Sequence, residues 1–571
     1  MERAINVYVS GWAIDLGTTN TGLARWDADG DRARLLELPA ICRRPGRVEP
    51  LEAPRLIPSA THMLPAGNLW CRLGRSRFFL KRTFWGKQAE IGRPALQLNE
   101  GWAHPNFAPS FKKDLGRAPH KTLARLRGEV YSVREVARTF LRELLAEVKR
   151  TTGERIRDLV ITVPVESYDA YRAELAAMCE AVGIKRVRFL DEPVAAAIGY
   201  GLGLRRSRKV LVVDYGGGTL DLALVDLTPR ETEVGSCQVL AKEGRPIGGN
   251  TVDRWLLAHF AEQMGVPVDP TATEGDAELW YRLMLDESRR VKEAVYFKPK
   301  ATFALSPPPE LRSIASRLEG RPCYLEVTKE DIVAHLEGRQ MYAMLADCAD
   351  GIQSQMERMG LSESDIDEVL MVGGSTLLPG VFKCFEDRYG RDRVRAWQPF
   401  EAVAFGASAF AANRFGQSDF LVHEYAFVTY DPKTHDKQYT TIIKHGTRFP
   451  TPKDQWRRQL VPTCALGEPE RVFKLVVCEL AGVGDDQKFV WDADGELHQV
   501  EEGMEHTPLV VPLNESNPTL GYLDPPHTPG DKTARLEISF GVDANRWLIA
   551  TVKDLKTSKL LMNEEPVVRL L

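Results

Sequence analysis

The sequence predicts an α/β domain of duplicated architecture, followed by an antiparallel β domain. Its 571 residues are enough for roughly three to four units of about 150 residues. Two distant segments, WAIDLGTTNTGLARWD from Trp12 and LVVDYGGGTLDLALVD from Leu211, share one frame. Between them, strand-like and helix-like patterns alternate, which is typical of α/β folds. After about Phe420, short β-rich runs are separated by Gly, Pro, Asp and Asn, which indicates antiparallel strands.

Each of the two matching segments contains an apolar run, an Asp-x-Gly sequence and a second apolar run. Asp15 aligns with Asp214, and Gly17 aligns with Gly216. This pattern predicts a strand, a tight turn and a returning strand. Two copies predict a duplicated architecture in which two such turns face each other.

The residues between the two segments predict alternating helices and strands. Residues 133–150 carry apolar side chains at i, i+3, i+4 and i+7, the spacing of an amphipathic helix. Asp158 to Pro164 predicts a short buried strand, and a second helix ends at Gly183, a natural C-cap residue. The strand VRFL then leads into DEPVAAAIGYG and the second Asp-x-Gly turn.

The boundary between the two parts falls in RFGQSDFLV, residues 414–422. This polar, glycine-containing stretch ends in three apolar residues, which favours a linker that docks. The alternative is the first strand of the β domain. The predicted organisation is an α/β domain over 1–415, a linker over 416–422 and a β domain over 423–571.

Composition excludes several classes of protein. A net charge of −4 argues against a large basic surface and against nucleic acid as a partner. No apolar run reaches the 18 or so residues of a membrane span, and the first residues lack the features of a signal peptide. We therefore expect a cytoplasmic protein. Nine cysteines without a C-x-x-C pair predict reduced thiols, not a metal cluster.

Four glycine-rich turns predict contacts with phosphate. Such turns expose backbone N–H groups and let phosphate oxygens approach closely, and the third of them opens a helix whose N-terminus attracts anions. One glycine turn alone is usually structural, but four in one chain, two of them in matching frame, favour a nucleotide site. The candidate residues are Gly17, Thr18, Thr19 and Asn20; Gly216, Gly217, Gly218 and Thr219; Gly248 and Gly249; and Gly373, Gly374 and Ser375.

Two aspartates at strand ends predict a metal site. Asp15 and Asp214 would hold Mg²⁺ through water, because this cation keeps much of its hydration shell in proteins. The chain has neither a GxxxxGK[ST] sequence nor a convincing GxGxxG after a strand, which argues against P-loop and Rossmann sites.

These residues, in this order, resemble the heat shock protein 70 family of the actin-like ATPase superfamily. The motifs are DLGTTN and VVDYGGGTLD for phosphate, VGGSTLLPG for adenosine, and DEPVAAAIGYG and EAVAFGASAFAA for two connecting helices. IIKHGTRFPT, FKLVVCEL and ISFGVDANRWLIATVKD resemble the family's peptide-binding β-sandwich. The resemblance implies a two-lobed actin-like ATPase domain that holds ATP or ADP with Mg²⁺ between its lobes, with K⁺ as a further candidate cation.

The resemblance also implies catalytic roles. Glu192 would orient the metal and the attacking water, although its position also suits a charge at a helix N-terminus. Lys112 would stabilise the transferring phosphoryl group, where charge at the transition state matters most. Lys113 is the alternative, but the spacing to Gly116-Arg117 favours Lys112. The expected catalytic set is Lys112, Glu192, Asp214, Thr219 and Asp221, the threonine and Asp221 lining the γ-phosphate site.

The nucleoside end departs from the family pattern. Lys292 is retained as an ATP contact, but Arg289, Glu293 and Tyr296 replace other expected contacts. Leu377 stands where the family usually has an arginine stacked on adenine. Loss of a cation–π partner costs about 0.5–2 kcal/mol, so nucleotide affinity or base preference is expected to differ.

Three expectations concern partners. Phe473 and Leu475, which alternate on one strand, would lie near the groove for extended polypeptide clients, or would be ordinary sandwich core. Arg188 would contact a J-domain co-chaperone, or would form a structural ion pair, and a nucleotide exchange factor is a further expected partner. The sequence leaves no room for the family's C-terminal helical lid, so bound peptide is expected to leave quickly.

The resemblance therefore implies a chaperone-like ATPase that couples ATP hydrolysis to polypeptide binding. A nucleotide-switched scaffold or exchange factor with little client binding is the alternative. A small-molecule kinase of the same superfamily is less favoured, because kinases of this kind would not need the β-rich tail.

Overall fold

The computed structural model forms two compact units, Met1–Gln417 and Ser418–Leu571. Within the described residues, none of the helices combines the length and the apolar character that crossing a bilayer requires. The residues that the structure describes are 11–46, 54–65, 86–100, 104–115, 118–165, 169–229, 234–272, 275–308, 311–318, 323–396, 401–421, 423–430, 434, 436–464, 467–481, 489–491, 497–499, 509–515, 518–543 and 546–570.

The first unit contains both helices and strands. Its strands are β1 Trp12–Leu16, β2 Asn20–Asp27, β3 Arg32–Leu35, β4 Ile57–Pro58, β5 Thr61–Met63, β6 Ala89–Ile91, β7 Phe107–Ala108, β8 Thr122–Leu126, β9 Glu129–Ser132, β10 Asp158–Val163, β11 Arg186–Asp191, β12 Arg208–Tyr215, β13 Leu220–Thr228, β14 Gly235–Arg245, β15 Lys300–Leu305, β16 Cys323–Thr328, β17 Glu368–Val372 and β18 Val394–Ala396. A further strand, β19 Phe415–Phe420, begins in this unit and continues past Gln417. Its helices are α1 Arg93–Gln97, α2 Lys112–Leu115, α3 Val133–Thr152, α4 Asp169–Val182, α5 Glu192–Gly201, α6 Gly249–Met264, α7 Gly275–Phe297, α8 Arg312–Arg317, α9 Lys329–Gly338, α10 Met341–Arg358, α11 Val381–Tyr389 and α12 Ala402–Ala411, with short 3₁₀ helices at Glu363–Asp365 and Gly374–Leu377.

Two sheets of the first unit have the same topology. Five strands of the first sheet have the order β11-β10-β1-β2-β3, and five strands of the second have the matching order β18-β17-β12-β13-β14. In both, the first three strands are parallel and the last two are antiparallel to their neighbours. Each sheet has its own apolar core. The duplication predicted from the sequence is therefore confirmed.

The two predicted hairpins occupy equivalent places in these sheets. Ile14 pairs with Leu23 in the first hairpin, and Val213 pairs with Leu222 in the second. The predicted helix at 133–150 is confirmed as α3, which begins with a capping box at Ser132 and ends at Gly153 in the left-handed conformation.

Two apolar helices, α5 and α12, cross at a point where each helix has a glycine. A Cβ atom at Gly406 would lie 1.7 Å from the carbonyl oxygen of Ala195, and one at Gly199 would lie 2.5 Å from that of Ala402. Both distances are far below van der Waals contact, so the two backbones touch directly. These helices match the two connecting helices that the sequence resemblance implies.

The second unit consists of antiparallel strands. They are β20 Glu424–Tyr430, β21 Lys437–Ile443, β22 Arg448–Phe449, β23 Trp456–Leu460, β24 Glu470–Leu475, β25 Val477–Ala481, β26 Phe489–Trp491, β27 Leu497–Gln499, β28 Leu509–Pro512, β29 Thr519–His527, β30 Leu536–Val542, β31 Trp547–Asp554 and β32 Leu560–Arg569. This confirms the predicted antiparallel character of the C-terminal part.

Two four-stranded sheets of the second unit, β21-β20-β25-β28 and β23-β30-β31-β32, share one core. The ring of Phe427 in β20 lies 5.4 Å from that of Phe540 in β30. A buried ion pair adds to this core, since Nε of Arg535 lies 2.7 Å from Oδ1 of Asp554 and both side chains are almost fully covered.

The segment predicted as a linker, residues 416–422, lies largely within a strand. β19 extends from Phe415 to Phe420, and Asp419 and Phe420 pair with Phe449 and Arg448 within the second unit. This favours the strand alternative for this stretch. Val422 lies outside the described residues, as does Cys71, while the eight described cysteines are free thiols.

Candidate functional site

A cavity of about 560 Å³ lies where the turns of the two hairpins meet. Its lining draws on both sheets and on the segments that follow their strands. The predicted residues that line it are Asp15, Gly17, Thr18, Thr19, Asn20, Lys112, Glu192, Asp214, Gly216, Gly217, Gly218, Thr219, Gly249, Lys292, Gly373, Gly374 and Ser375. The structure therefore brings together residues from seven separate stretches of sequence.

The first turn is fixed from behind by two serines. Ser59 Oγ donates a hydrogen bond to the carbonyl of Gly17 at 2.7 Å, and Ser110 Oγ donates to that of Thr18 at 2.8 Å. These two hydrogen bonds to backbone carbonyl groups hold the turn in one conformation. Oδ1 of Asn20 is buried without a hydrogen-bond partner in the described structure. This oxygen can therefore accept a hydrogen bond from a group bound in the cavity.

The second turn is supported by the N-terminus of α6. The backbone N–H of Gly249 donates to the carbonyl of Gly216 at 3.0 Å, and that of Asn250 donates to Gly217 at 2.8 Å. Ser375 Oγ also donates to the Gly216 carbonyl, at 2.7 Å. These two amides of the helix therefore hold the turn in place and are not directed at a ligand.

The two turns approach each other too closely for side chains. A Cβ atom at Gly217 would lie 2.9 Å from Oγ1 of Thr19, and one at Gly218 would lie 2.8 Å from Oγ1 of Thr18. Glycine at both positions leaves a cradle that a Cβ atom would fill. Such a cradle, edged by threonine hydroxyls, suits phosphate oxygens.

The cavity floor concentrates negative charge. Burial and, to a smaller extent, the charge of Glu192 raise the pKa of Asp15 to about 6. A 2.8 Å hydrogen bond from Thr162 to the carboxylate of Asp15 acts in the opposite direction. Burial and the charges of Glu192 and Asp221 also raise the pKa of Asp214 well above its usual value. Carboxylates that repel one another in a buried site fit a divalent cation with oxygen ligands, such as Mg²⁺.

Lys112 is the cation of this cluster. Its Nζ lies 2.5 Å from Oε1 of Glu192, and both side chains are about nine-tenths buried. Burial lowers the pKa of Lys112, but the charges of Glu192, Tyr171 and Asp15 and the hydrogen bond to Glu192 together outweigh burial and raise the pKa above its usual value. Lys113 is exposed, which favours Lys112 for the predicted role. Gly116 and Arg117 lie outside the described residues.

Two predicted residues lie behind the lining. Asp221 is buried in β13, where its Oδ1 accepts a 2.9 Å hydrogen bond from the backbone N–H of Val165. A Cβ atom at Gly248 would lie 2.6 Å from the backbone of Gly217. Gly248 therefore supports the second turn from behind, and Asp221 acts on the site through its charge.

The residues predicted for the nucleoside end, which depart from the family pattern, also line the cavity. Lys292 Nζ lies 2.7 Å from Oδ1 of Asp253 and donates to the carbonyl of Gly249 at 3.1 Å. Nε of Arg289 donates a 3.2 Å hydrogen bond to Oδ2 of the same aspartate. Arg289, Glu293, Tyr296 and Leu377 all line the cavity, so the substituted positions do face the site.

The residues predicted to bind partner proteins lie outside the cavity lining. Phe473 and Leu475 belong to the core of the second unit, with 8% and 0% of their surfaces exposed, which favours the alternative that they are sandwich core. Arg188 donates to the carbonyl of Ala411 at 2.8 Å and stacks on Phe410 at 5.1 Å. It thus holds the C-terminal end of α12, a location that favours a cation.

Sequence reasoning missed several supporting residues. Thr162 and Ser110 carry no local motif, and only the folded chain brings them to Asp15 and Thr18. Asp253 could have been found, because it ends the IGGNTVD stretch at a helical spacing from Gly249. Arg43, Arg44 and Arg93 also line the cavity and lie in a region without any recognisable pattern.

Sequence comparisons relate this chain to known proteins. The sequence model of the family described as Hsp70 protein matches residues 106–462. Two curated relatives, the proteins named Chaperone protein DnaK from two strains of Thermus thermophilus, are each 25% identical to this chain over 566 residues. Each alignment covers 96% of this chain and 78% of the relative.

Proposed function

Because the chain belongs to the heat shock protein 70 family, we propose that it is a chaperone whose first unit hydrolyses ATP and whose second unit binds extended polypeptides. Membership supports a chaperone-type ATPase in general. The observation that carries the finer proposal is the cavity, where two matched glycine turns meet beside buried carboxylates and the Lys112–Glu192 pair.

In the proposed mechanism, the glycine turns hold the phosphates of ATP, and Lys112 supplies positive charge at the transferring phosphoryl group. An ammonium group has three N–H donors, so Lys112 can keep its hydrogen bond to Glu192 and donate to a phosphate oxygen as well. Glu192 would accept a hydrogen bond from the attacking water and orient it. Asp15 and Asp214 would hold Mg²⁺ through water, and bound Mg²⁺ supplies neutralisation of phosphate charge.

Hydrolysis is proposed to change the affinity of the second unit for its clients. A ligand shifts such an equilibrium only by the difference between its affinities for the two states. We expect unfolded or extended polypeptides as clients, with a J-domain co-chaperone and a nucleotide exchange factor as partners, and the cytoplasm as the place of action. Arg188 remains the candidate residue for the J-domain contact.

The test is ATP turnover by the full chain in Mg²⁺, with and without a model extended apolar peptide and a J-domain protein. We expect Mg²⁺-dependent turnover that both additions stimulate. A peptide with aspartate at alternate apolar positions serves as the control and should not stimulate. Calorimetry that detects no Mg²⁺-dependent binding of ATP or ADP would overturn the proposal.

A nucleotide-switched scaffold or exchange factor is the second candidate. It is favoured by the altered nucleoside end, with Glu293, Tyr296 and Leu377 in the cavity lining, and by the core position of Phe473 and Leu475. For this function we expect nucleotide binding and slow hydrolysis, with no response to peptide. The same turnover assay therefore separates the two candidates.

A further inference from the structure

Three charged side chains form a buried cluster beneath the cavity. Nη2 of Arg172 lies 3.1 Å from Oδ1 of Asp191, and Nζ of Lys242 lies 2.8 Å from Oδ2 of the same carboxylate. All three side chains are at least 97% covered. The carboxylate thus uses one oxygen for each cation.

The cluster connects the two duplicated sheets. Asp191 ends β11 of the first sheet, where it pairs with Val163. Lys242 lies in β14 of the second sheet, where it pairs with Ala223. The main chain of Lys242 is itself fixed, because its N–H donates to Gln355 Oε1 at 3.1 Å and its carbonyl accepts from Gln355 Nε2 at 2.7 Å.

Asp191 immediately precedes Glu192, the first residue of α5. An aspartate at this N-cap position normally accepts a hydrogen bond from a backbone N–H of the first helical turn. Here the Asp191 side chain makes no such cap bond, since both of its oxygens face cations. The direction in which α5 starts, and with it the placement of Glu192, is therefore held by contacts across the sheets.

A buried ion cluster of this kind responds sharply to geometry. Its charges are out of water, so the favourable interaction depends on close hydrogen-bonded contact between the carboxylate and each cation. A shift of the second sheet relative to the first would move Lys242 away from Asp191. That movement would alter the start of α5 while leaving the phosphate-binding turns intact.

We propose that Lys242 is a positioning residue that aligns Glu192 for hydrolysis by holding Asp191 from the second sheet. This inference rests on the proposed function, since it assumes that Glu192 orients the attacking water. Lys242 does not line the cavity, so its effect is expected on the rate of hydrolysis and not on nucleotide affinity. The link makes turnover depend on the relative position of the two sheets.

The test compares Lys242→Met and Lys242→Arg in the full chain by steady-state ATP turnover. We expect Lys242→Met to lower kcat at least tenfold with KM for ATP within threefold of wild type, and Lys242→Arg to stay within fivefold of the wild-type kcat. Lys209→Met, in β12 of the same sheet and partly exposed beside Asp226, is the matched control and should leave both parameters unchanged.

A second variant tests the inference even if Lys242→Met fails to fold. Gln355→Ala keeps all three buried charges and removes only the clamp on the Lys242 main chain, so it should lower kcat severalfold with KM unchanged. Suppose that the wild-type chain hydrolyses ATP but neither Lys242→Met nor Gln355→Ala lowers kcat, or that the variants change KM instead. Either result would overturn this inference and leave the proposed function standing. A wild-type chain without turnover would overturn the proposed function and this inference together.

Discussion

Under the proposed function, single residues would divide the cavity into a phosphate end and a nucleoside end. At the phosphate end, Asp15, Asp214 and Glu192 surround one buried lysine, Lys112. At the nucleoside end, Glu293 and Leu377 replace residues that the family resemblance leads us to expect. Under the proposed function, the chemistry of hydrolysis would rest on the first group and the choice of nucleotide on the second.

Replacement of Lys112 by alanine should abolish hydrolysis and leave ATP binding measurable. Removal of one preorganised group that stabilises transition-state charge costs about 10²–10³ in rate, and the glycine turns that hold phosphate are unchanged. Single-turnover hydrolysis and calorimetry measure the two effects. Lys113→Ala, at the exposed neighbour, should behave as wild type, and unchanged turnover in Lys112→Ala would move the role to another residue.

Replacement of Leu377 by arginine should strengthen binding of adenine nucleotides. A guanidinium stacked on the base would contribute about 0.5–2 kcal/mol, which corresponds to roughly a two- to thirtyfold lower Kd for ATP. Leu96→Arg is the control, because Leu96 also lines the cavity but lies in α1. Equal gains in the two variants would mean that added positive charge, and not stacking, is responsible.

At this scale the sequence predicts local motifs well and long-range contacts poorly. Asp15 and Asp214 could be identified because each lies within a contiguous Asp-x-Gly motif. The contact of Lys242 with Asp191 could not, because nothing near either residue encodes it. The alternation of Phe473 and Leu475 correctly places both on one strand face, but alternation alone does not tell whether that face turns to a groove or to the core.

At the scale of elements, the crossing of α5 and α12 is the most constrained contact of the first unit. Gly406→Ala would place a methyl group against the Ala195 carbonyl, at an unrelaxed distance of 1.7 Å. Overpacking of this kind costs about 1–3 kcal/mol, so the free energy of unfolding of the first unit should fall by at least that amount in denaturant titration.

Gly338→Ala is the matched control for this prediction. Gly338 ends α9, and a Cβ atom there would meet nothing within 4 Å. Alanine in a helix is favoured over glycine by up to about 1 kcal/mol, so this variant should be neutral or slightly more stable. A loss of stability in Gly338→Ala as large as that in Gly406→Ala would refute the close-contact explanation.

Elements with strong periodicity were predictable. The apolar spacing from Val133 onward gives α3 to within two residues of its C-terminal end, because one face of that helix is buried. The sequence does not decide between a linker and a strand for β19, because its residues from Gly416 to Asp419 lack apolar alternation. Its assignment depends on strand partners, such as Arg448 and Phe449, that are distant in sequence.

At the scale of the whole molecule, the two units have separate cores. In the second unit, burial raises the pKa of Asp554, but hydrogen bonds from Arg535 and Thr557 outweigh it and hold the pKa at about 2. An aspartate in an unfolded chain titrates near 3.9. The ion pair therefore stabilises the folded unit fully above about pH 4, and this contribution is lost as the pH falls towards about 2.

Asp554→Asn should destabilise the second unit by about 3–5 kcal/mol at pH 7, because Arg535 then keeps a buried charge without its partner. Hydrogen exchange of β30 and β31 in the full chain measures this unit separately from the first. The difference between wild type and variant should shrink as the pH falls from about 4 to about 2. A difference that stays constant over this range would contradict the assigned role of the pair.

The order of the units and the duplication within the first unit follow from the sequence, because composition changes near Phe420 and two segments share a frame. The sheet order could not be derived in the same way. Strands β17 and β18 come far after β12 in the chain, yet β17 pairs with β12 and β18 pairs with β17, and their own residues do not specify these neighbours.

The cavity is assembled from residues that extend from Asp15 to Val403. On the ribosome, a nascent polypeptide that stops short of α12 lacks part of this lining, however well its first sheet has formed. Under the proposed function, capture of ATP would then be a late event in synthesis, possible only after the chain up to α12 has been translated.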